Sequence, residues 1–281
     1  MNDRSILVTG CSSGIGRCTA LGLKARGYRV FASARRPDDL EQLQRDGLEA
    51  VMLHLDDPDS VAAAADHVLS ACGGAVYGLF NNGAYGQPGA VEDLSWRALE
   101  EQLRTNVLGW HELTRLLLPG MRRRGEGRII HNSSVLGLVA MPYRGAYNCS
   151  KFALEGLTDT LRLEIHGSGI FVSLIEPGPI KSRFRENAYA KFRQHIDAQN
   201  SVHRENYNAM EERLAKEGDA STFTLPPEAV LKRVIHALES RRPRVRYPVT
   251  TPTYVFGVLR RVLGARQLDW LLRRASGGGS R

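Results

Sequence analysis

The stretch AYNCSK at residues 146–151 places a phenol and an amine, those of Tyr147 and Lys151, four positions apart. On a helix, residues at this spacing lie on the same face, with their Cβ atoms about 5–6 Å apart. A nearby cation favours the phenolate and lowers a tyrosine pKa from about 10, so the pair could exchange a proton with a substrate. Because solvent-facing helices also carry such pairs by chance, its meaning depends on the elements around it.

A glycine-rich turn near the start of the chain, TGCSSGIG at residues 9–16, is a second candidate site. A predicted strand precedes it and a predicted helix follows. Glycines here permit a sharp bend and a close backbone approach to a diphosphate, which the helix N-terminus also attracts. A purely structural turn is the alternative. The residues predicted to bind a dinucleotide are Gly10, Ser12, Ser13, Gly14, Ile15 and Gly16.

The elements that must position these residues alternate between short apolar strands and longer helical segments. Strands are predicted at 5–10, 28–34, 48–56, 75–82, 127–134, 169–178 and 243–248. Helical patterns include 14–26, 57–71, 95–124, 146–166 and 224–240. This alternation predicts an α/β fold, a Rossmann-like doubly wound parallel sheet of about seven strands with helices on both faces.

We expect one domain over residues 1–281. Residues 1–180 form the dinucleotide-binding and catalytic core in this prediction. The polar, aromatic-containing segment 181–224 forms a lid in a small C-terminal substrate lobe. Residues 225–275 add a helix, a strand and a helix, and the glycine-rich tail 276–281 is expected to be disordered.

Composition narrows the function classes. The chain has 42% apolar residues and a net charge of +8, carried by arginines. No zinc-finger spacing and no basic helix interleaved with aromatics is present, so a solvated basic surface is favoured over nucleic-acid binding. Four cysteines without a CxxC pair favour free thiols over disulfides, and eight histidines without HxxxH or HExxH give no reason to expect a metal. Without a signal peptide or a transmembrane stretch, a cytoplasmic protein is expected.

Several motifs together carry a resemblance to a known family. The G-x-x-x-G-x-G spacing, NNGA at 81–84, Ser134 and YNCSK at 147–151 agree in order and spacing. With them the chain closely resembles the short-chain dehydrogenase/reductase family in its single-domain form, over about residues 5–190.

This resemblance implies a catalytic group. Tyr147 would be the general acid in reduction and the base in oxidation, and Lys151 would tune it and hold the nicotinamide ribose. Ser134, thirteen residues before Tyr147, would hydrogen-bond the substrate oxygen, with Ser133 as the alternative. Asn106 in TNVLG would position a water that relays protons to Lys151. Such donors suit carbonyl reduction, because hydride delivery places negative charge on the oxygen.

The predicted cofactor is NADP(H). Where an NAD-binding protein carries an acid at the end of the second strand, this chain has Ala34, followed by Arg35 and Arg36, and arginine pairs well with a phosphate. The alternative is that both arginines only cap a loop. Asp56 matches the family acid at the adenine edge, with Asp57 one position away as the other choice.

Two further segments match the family with departures. NNGA exchanges the last two residues of the usual N-N-A-G, and its Asn81, Asn82 and Gly83 are expected near the adenosine ribose. EPGPIKS at 176–182 has Ser182 where threonine is usual. From this segment, the residues expected near the carboxamide are Pro177, Gly178, Ile180 and Ser182.

The predicted function is that of an oxidoreductase (EC 1.1.1.-) that interconverts a lipophilic aldehyde or ketone and an alcohol. The chain is similar to the branch with retinol and 17β-hydroxysteroid dehydrogenases and bacterial NADPH-dependent aldehyde reductases. A nucleotide-sensing protein without turnover is the alternative from another class, and an epimerase or dehydratase of the extended branch is a third. The resemblance implies a homodimer or homotetramer through the helices of Asn106 and Tyr147. For the amphipathic C-terminal segment 253–274, packing on the domain or a partner subunit is favoured over contact with a membrane surface.

Overall fold

The computed structural model describes residues 4–215 and 222–275. Within them, seven strands form one sheet in the order β3-β2-β1-β4-β5-β6-β7, and every neighbouring pair is parallel. The strands are Ser5–Val8 (β1), Arg29–Ala34 (β2), Glu49–Met52 (β3), Gly78–Asn81 (β4), Gly127–Asn132 (β5), Ile170–Glu176 (β6) and Arg246–Pro248 (β7). The predicted doubly wound parallel sheet is confirmed.

Helices cover both faces of this sheet. The first six are Gly14–Ala25 (α1), Pro37–Arg45 (α2), Pro58–Ala71 (α3), Trp96–Leu103 (α4), Gly109–Arg124 (α5) and Gly145–Glu164 (α6). The remaining five are Phe184–His195 (α7), Arg204–Ala215 (α8), Glu228–Glu239 (α9), Thr251–Val262 (α10) and Ala265–Ala275 (α11). No helix in the described ranges is both long and apolar enough to cross a membrane.

Local sequence signals explain where several helices begin. Asp57 accepts a hydrogen bond from the Asp59 N–H at the start of α3, where Pro58 takes the first helical position. The Ser95 side chain does the same for Ala98 in α4. These caps satisfy N–H groups that a helix leaves unpaired at its N-terminus.

Two apolar cores lie on opposite faces of the sheet. One packs α1, α2 and α9 against the strands and contains Leu23, Leu43 and Val234. The other packs α3, α5 and α6 and contains Trp110 and Leu154. Strands β1 and β4 are buried at every position, as expected for a parallel sheet covered on both sides.

The long helix predicted at 95–124 is interrupted. Residues Arg104–Leu108 form a π-helical turn between α4 and α5, and the Gly109 N–H donates to the Arg104 carbonyl five residues earlier. Such wide turns occur often at functional sites, and this one carries Asn106. The interruption was not predicted because the residues on both sides keep a helical apolar pattern.

The lid predicted at 181–224 contains α7 and α8 in its described part. Its own apolar cluster includes Phe192, Tyr207 and Met210. Polar contacts fasten it to the segment before α4: Tyr207 donates to Asp93, and Ala90 N–H donates to Tyr207 at 2.9 Å. The lid therefore packs as an ordered layer over the body.

The C-terminal amphipathic segment forms α10 and α11 instead of one helix. Leu272 packs with Val135, Leu136 and Val139 near the end of β5. The predicted disordered tail at 276–281 lies outside the described residues. The predicted dimer stays a prediction, although α6 and the π turn leave several apolar side chains exposed, namely Leu108, Phe152, Leu157 and Leu163.

Candidate active site

The candidate site lies along the carboxyl ends of the parallel strands. Gly10 follows β1, Asn82 follows β4 and Ser134 follows β5. Strands β1 and β4 are neighbours although two strands separate them in the chain, so connections leave them in opposite directions. In open α/β sheets, ligands bind outside the strand ends at such a switch point.

The glycine-rich turn has no room for side chains. A Cβ on Gly16 would lie 2.1 Å from the Gly10 carbonyl oxygen, and one on Gly10 would lie 2.5 Å from the Gly83 Cα atom. Gly10 and Gly14 also have positive φ angles of 71° and 53°, which L side chains rarely adopt. The backbone can approach a diphosphate here only because these positions are glycine.

The N-terminus of α1 suits an anion. Its Ser13 N-cap makes no side-chain capping hydrogen bond, and no acidic residue lies in the first turn. Free N–H groups and the positive end of the helix dipole favour phosphate at such a position. The residues present therefore fit the diphosphate of a dinucleotide. The N–H groups that would face it are those at the start of α1, on Ser13, Gly14 and Ile15.

Tyr147, Lys151 and Ser134 are brought together between α6 and the end of β5. The Lys151 ammonium lies 5.6 Å from the centre of the Tyr147 ring and 4.5 Å from that of Trp110. Ser134 hydrogen-bonds the Tyr147 hydroxyl in a way that favours the phenolate. The Ser134 hydroxyl also accepts from the Leu136 N–H at 3.1 Å, so its own proton can point to a neighbouring oxygen.

Burial shifts the pKa values of both Tyr147 and Lys151. Burial raises the pKa of Tyr147 to about 12, against the lowering effects of Ser134 and Arg144, and the expected lowering by Lys151 and an oxidised nicotinamide together stays a prediction. Burial also lowers the pKa of Lys151 to about 7, opposed by Glu155. The lysine thus titrates near neutrality, and its charge state is set by its surroundings.

A chain of hydrogen bonds links the glycine turn to Lys151. Asn82 donates from Nδ2 to the Thr9 carbonyl at 3.0 Å, and its Oδ1 accepts from Asn132 Nδ2 at 2.9 Å. The Asn132 carbonyl accepts from Lys151 Nζ at 2.7 Å. Three strand ends and α6 are therefore held in one rigid arrangement.

Asn106 is fully buried and its side chain is fixed. Its Oδ1 accepts from the Tyr85 N–H at 3.2 Å, and its Nδ2 donates to the Tyr85 carbonyl and to Ser150 Oγ. Ser150 precedes Lys151, so Asn106 joins the π turn to the helix that carries the lysine. Its side chain is thus engaged with protein groups, and a water held here would use the main chain of the π turn.

The two arginines after β2 are not equivalent. Arg36 forms a two-pronged ion pair with Asp39 at 2.9 and 3.1 Å, which partly supports the loop-capping alternative for this residue. Arg35 is exposed beside it. Asp57 is the N-cap of α3, which leaves Asp56 as the acid available for a ligand.

The segment after β6 crosses the glycine turn. A Cβ on Gly14 would lie 2.8 Å from the Ser182 Cβ atom. Ile180 pairs with Leu225, and Ser182 accepts from the Phe184 N–H at 3.4 Å at the start of α7. Ser182 therefore lies against the glycine turn, whereas contact of Pro177, Gly178, Ile180 and Ser182 with a carboxamide stays a prediction.

Three further residues lie at the site, and of these Phe184 belongs to the aromatic segment that the sequence predicts to form the substrate lobe. Phe184 packs against Tyr147, and together with Gly86 and Ala188 it lines a cleft of only about 10 Å³. Arg183 donates to the Ser12 carbonyl at 3.4 Å, so its cationic side chain contacts the glycine turn. Asn132 is buried, with its Oδ1 unpaired among the described residues. Arg183 and Asn132 were not predicted, because neither stands out from the polar residues beside it in the sequence.

Comparison with known proteins agrees with this geometry. The short chain dehydrogenase family model matches residues 4–192. An uncharacterized oxidoreductase, YbbO of Escherichia coli K12, is 44% identical over 96% of this chain and 94% of its own. Bovine 17-beta-hydroxysteroid dehydrogenase type 6 is 32% identical over 98% of this chain and 89% of its own. A short-chain dehydrogenase/reductase from Burkholderia phymatum, solved with NAD, superposes with a TM-score of 0.78 at 24% identity over 96% and 95% of the two chains.

The chain belongs to the short-chain dehydrogenase/reductase family. Its fold is the nicotinamide-binding fold of that family, and its relatives are oxidoreductases.

Proposed function

We propose that this protein is an NADP(H)-dependent oxidoreductase that interconverts a lipophilic aldehyde or ketone and the corresponding alcohol. The observation that carries the proposal is the grouping of Ser134, Tyr147 and Lys151 between the end of β5 and α6, linked through Asn132 and Asn82 to the glycine turn. A binding protein without turnover would have no need for a proton donor held in this way.

The bound nicotinamide would supply the hydride. In reduction, the Tyr147 hydroxyl gives its proton to the carbonyl oxygen as negative charge develops there, and the Ser134 hydroxyl hydrogen-bonds the same oxygen. The Lys151 ammonium, 5.6 Å from the centre of the Tyr147 ring, would stabilise the phenolate that remains and so offset the cost of a charge that burial disfavours. In oxidation the same groups act in reverse.

The proposed selectivity for NADP(H) is based on the residues at the end of β2. Ala34 provides no carboxylate for a ribose hydroxyl, and Arg35 is exposed beside it. Arg183 contacts the glycine turn from the other side. Because the comparison structure from Burkholderia phymatum is described with NAD, the choice rests on these residues of the chain itself.

A lipophilic substrate is proposed from the walls of the cleft. Phe184, Ala188 and the edge of the Tyr147 ring are apolar. Gly86 packs closely against this wall, because a Cβ atom added there would lie only 2.8 Å from the Phe184 ring. Apart from Tyr147, the polar groups at the cleft come from Gln87 and Arg144. Apolar walls with a few convergent polar groups are typical of small-molecule sites.

The test is turnover by the purified full chain. Aliphatic aldehydes and cyclic ketones of increasing size are supplied with NADPH, and in parallel with NADH, and loss of reduced cofactor is followed by absorbance. Tyr147→Phe keeps the ring against Phe184 but removes the proton, so we expect kcat to fall about 10²–10⁴-fold. Tyr254→Phe on exposed α10 is the matched control and should behave as wild type.

Two outcomes would overturn the proposal. Turnover by Tyr147→Phe at the wild-type rate would remove the assigned acid. Tight NADPH binding without turnover of any carbonyl would instead indicate the nucleotide-sensing protein.

A further inference from the structure

An ionic cluster lies beside the catalytic group, on a neighbouring face of α6. Arg246 of β7 bonds Glu155 at 2.9 Å and Asp159 at 2.8 Å, and its Nε lies 3.1 Å from Glu176 of β6. The cluster borders a cavity of about 700 Å³ between α6, β7 and α10, which does not include Tyr147. None of these four residues has a role in the proposed reaction.

Glu155 connects this cluster to the catalytic group. Its Oε1 accepts a hydrogen bond of 2.5 Å from the hydroxyl of Ser133, the residue before Ser134. Glu155 also follows Lys151 by four residues on α6, so the two side chains are neighbours on the helix surface. One carboxylate thus touches the end of the strand that carries Ser134 and faces the lysine.

Glu155 is held firmly in this position. Its side chain is 10% exposed, and Arg246 holds the oxygen that Ser133 does not use. A buried carboxylate with both oxygens engaged has little freedom to reorient. The helix with Tyr147 and Lys151 and the strand end with Ser134 are therefore fastened together by Glu155.

We propose that Glu155 is a positioning residue for the proton-transfer group, which it serves by fastening α6 to the end of β5 and by placing a negative charge beside Lys151. The proposal rests on the proposed function for its kinetic consequences. Arg246 and Ser133 hold Glu155 in place for this role. The neighbouring Asp159 shares Arg246 but touches neither Ser133 nor Lys151 in the contacts described, so it provides a control.

The direction of the electrostatic effect follows from the surroundings of Lys151. Burial lowers the pKa of Lys151 to about 7, and Glu155 acts in the opposite direction. Removal of the Glu155 charge therefore lowers this pKa further, and less ammonium remains at neutral pH. Reduction needs the ammonium to stabilise the phenolate, so its rate should decline at a lower pH than in the wild type.

Other charged groups around Glu155 and Lys151 must be separated from this effect. His131 of β5 is kept neutral, because burial and Lys151 lower its pKa to about 3. Glu176 titrates in the same range as Lys151, because burial and Glu155 raise its pKa to about 7. The remaining groups that face the pair are Tyr147 and Asp159 of α6, Arg246 of β7 and Arg261 of α10. Glu176→Gln therefore serves as a second control.

The experiment measures kcat, KM and their pH dependence with NADPH and the best carbonyl of the panel. For Glu155→Gln we expect the high-pH limb of kcat to move down by about one pH unit and kcat near pH 7 to fall about tenfold, with KM changed less than about twofold. Ser133→Ala keeps the charge but removes the link to β5, so kcat should fall while the limb stays in place. In Asp159→Asn and Glu176→Gln, kcat should decline at high pH at the same pH as in the wild type.

A second readout does not depend on turnover. Lys151 is proposed to hold the cofactor ribose, so NADPH should dissociate more readily as pH rises through the lysine pKa. This midpoint, measured by NADPH fluorescence, should also move down in Glu155→Gln. If the wild type binds NADPH but reduces no carbonyl, the proposed function fails, and the binding midpoint still tests Glu155.

Unchanged midpoints in Glu155→Gln would overturn the inference, as would an equal loss of kcat in Asp159→Asn. If Glu155→Gln does not fold, the same kcat measurements on Ser133→Ala and Glu155→Asp test the proposed role of Glu155. Wild-type kcat in both would show that the link to β5 has no role.

Discussion

The ring of Phe184 lies edge-on against the ring of Tyr147, with their centroids 5.4 Å apart and their planes at 64°. The first residue of the lid helix α7 thus covers the proposed proton donor directly. The cleft between them has a volume of only about 10 Å³, so a substrate that enters this cleft must displace Phe184. This contact makes Phe184 a candidate for control of substrate size.

Replacement of Phe184 by alanine should widen the range of substrates. The truncated side chain leaves room beside Tyr147, and differences of this size in a pocket change discrimination about 10–200-fold. We expect the ratio of kcat/KM for a large cyclic ketone to that for a short aldehyde to rise about tenfold or more. Phe184→Leu keeps most of the bulk and is the control. An unchanged ratio of kcat/KM in Phe184→Ala would show that the Phe184 side chain does not limit the size of the substrate.

Arg35→Ala should weaken NADPH binding more than Arg36→Ala does. Arg36 already forms a two-pronged ion pair with Asp39, whereas Arg35 is exposed beside it. Since a hydrogen bond to a charged group contributes about 1.5–3 kcal/mol, the loss for Arg35→Ala should be about tenfold to a hundredfold in Kd. Fluorescence titration with NADPH and NADH measures both. Equal weakening of the two cofactors by Arg35→Ala would contradict a role in phosphate recognition.

Lys151 should make stability depend on pH. In the unfolded chain its pKa is near 10.5, and in the folded protein burial lowers it to about 7. Between these values the unfolded state binds more protons, so this group makes the folded state more stable as pH rises from about 7 toward 10.5. In Lys151→Met this contribution is absent. The wild-type Tm relative to that of Lys151→Met should therefore increase by about 2 °C or more between pH 7 and 9.5.

Parallel Tm–pH curves for these two proteins would indicate that Lys151 keeps its charge when buried. Measurements should stay below pH 10, because burial also raises the pKa of Tyr147 from 10 to about 12. Above pH 10 the folded state binds more protons at Tyr147 than the unfolded state does, and stability falls for this separate reason.

Gly16→Ala should destabilise the protein and weaken NADPH binding. Its Cβ would lie 2.1 Å from the Gly10 carbonyl oxygen and 2.7 Å from Asn82 Nδ2, so the turn must distort. A cost of about 1–3 kcal/mol is typical of such overpacking and corresponds to a fall of several degrees in Tm. Gly156→Ala is the matched control in α6, where no neighbouring atom lies within 4 Å of the added methyl group. It should be neutral or stabilising, as alanine is the better helix former.

The order of elements and the main site residues could be predicted from the sequence because their signals are local. Strand–helix alternation gave the parallel sheet, and the turn at Gly10–Gly16 lies between a strand and a helix, as its spacing predicts. The same locality explains why Tyr147 and Lys151 lie on a common face of α6, since they are four residues apart, whereas their catalytic roles stay a prediction.

Features that depend on tertiary packing could not be predicted. The pKa of Tyr147 rises because the side chain is buried under the lid, and sequence shows only that a lysine is near. The choice between Arg35 and Arg36 depends on which one Asp39 binds. Glu155 and Arg246 meet across 91 positions of the chain, and no local pattern relates them.

The hydrogen bonds from Thr9 through Asn82 and Asn132 to Lys151 join the ends of β1, β4 and β5 and do not include β2. The loop after β2, with Arg35 and Arg36, is not part of this linkage, so substitutions there should leave the proposed acid–base group in place. By contrast, a graft that shifts the end of β4 or β5 by a fraction of an ångström would disturb both halves of the enzyme together. For an engineer, the proposed site divides into an end at Arg35 and Arg36 that can be exchanged and an end at β4, β5 and α6 that can be changed only as a unit.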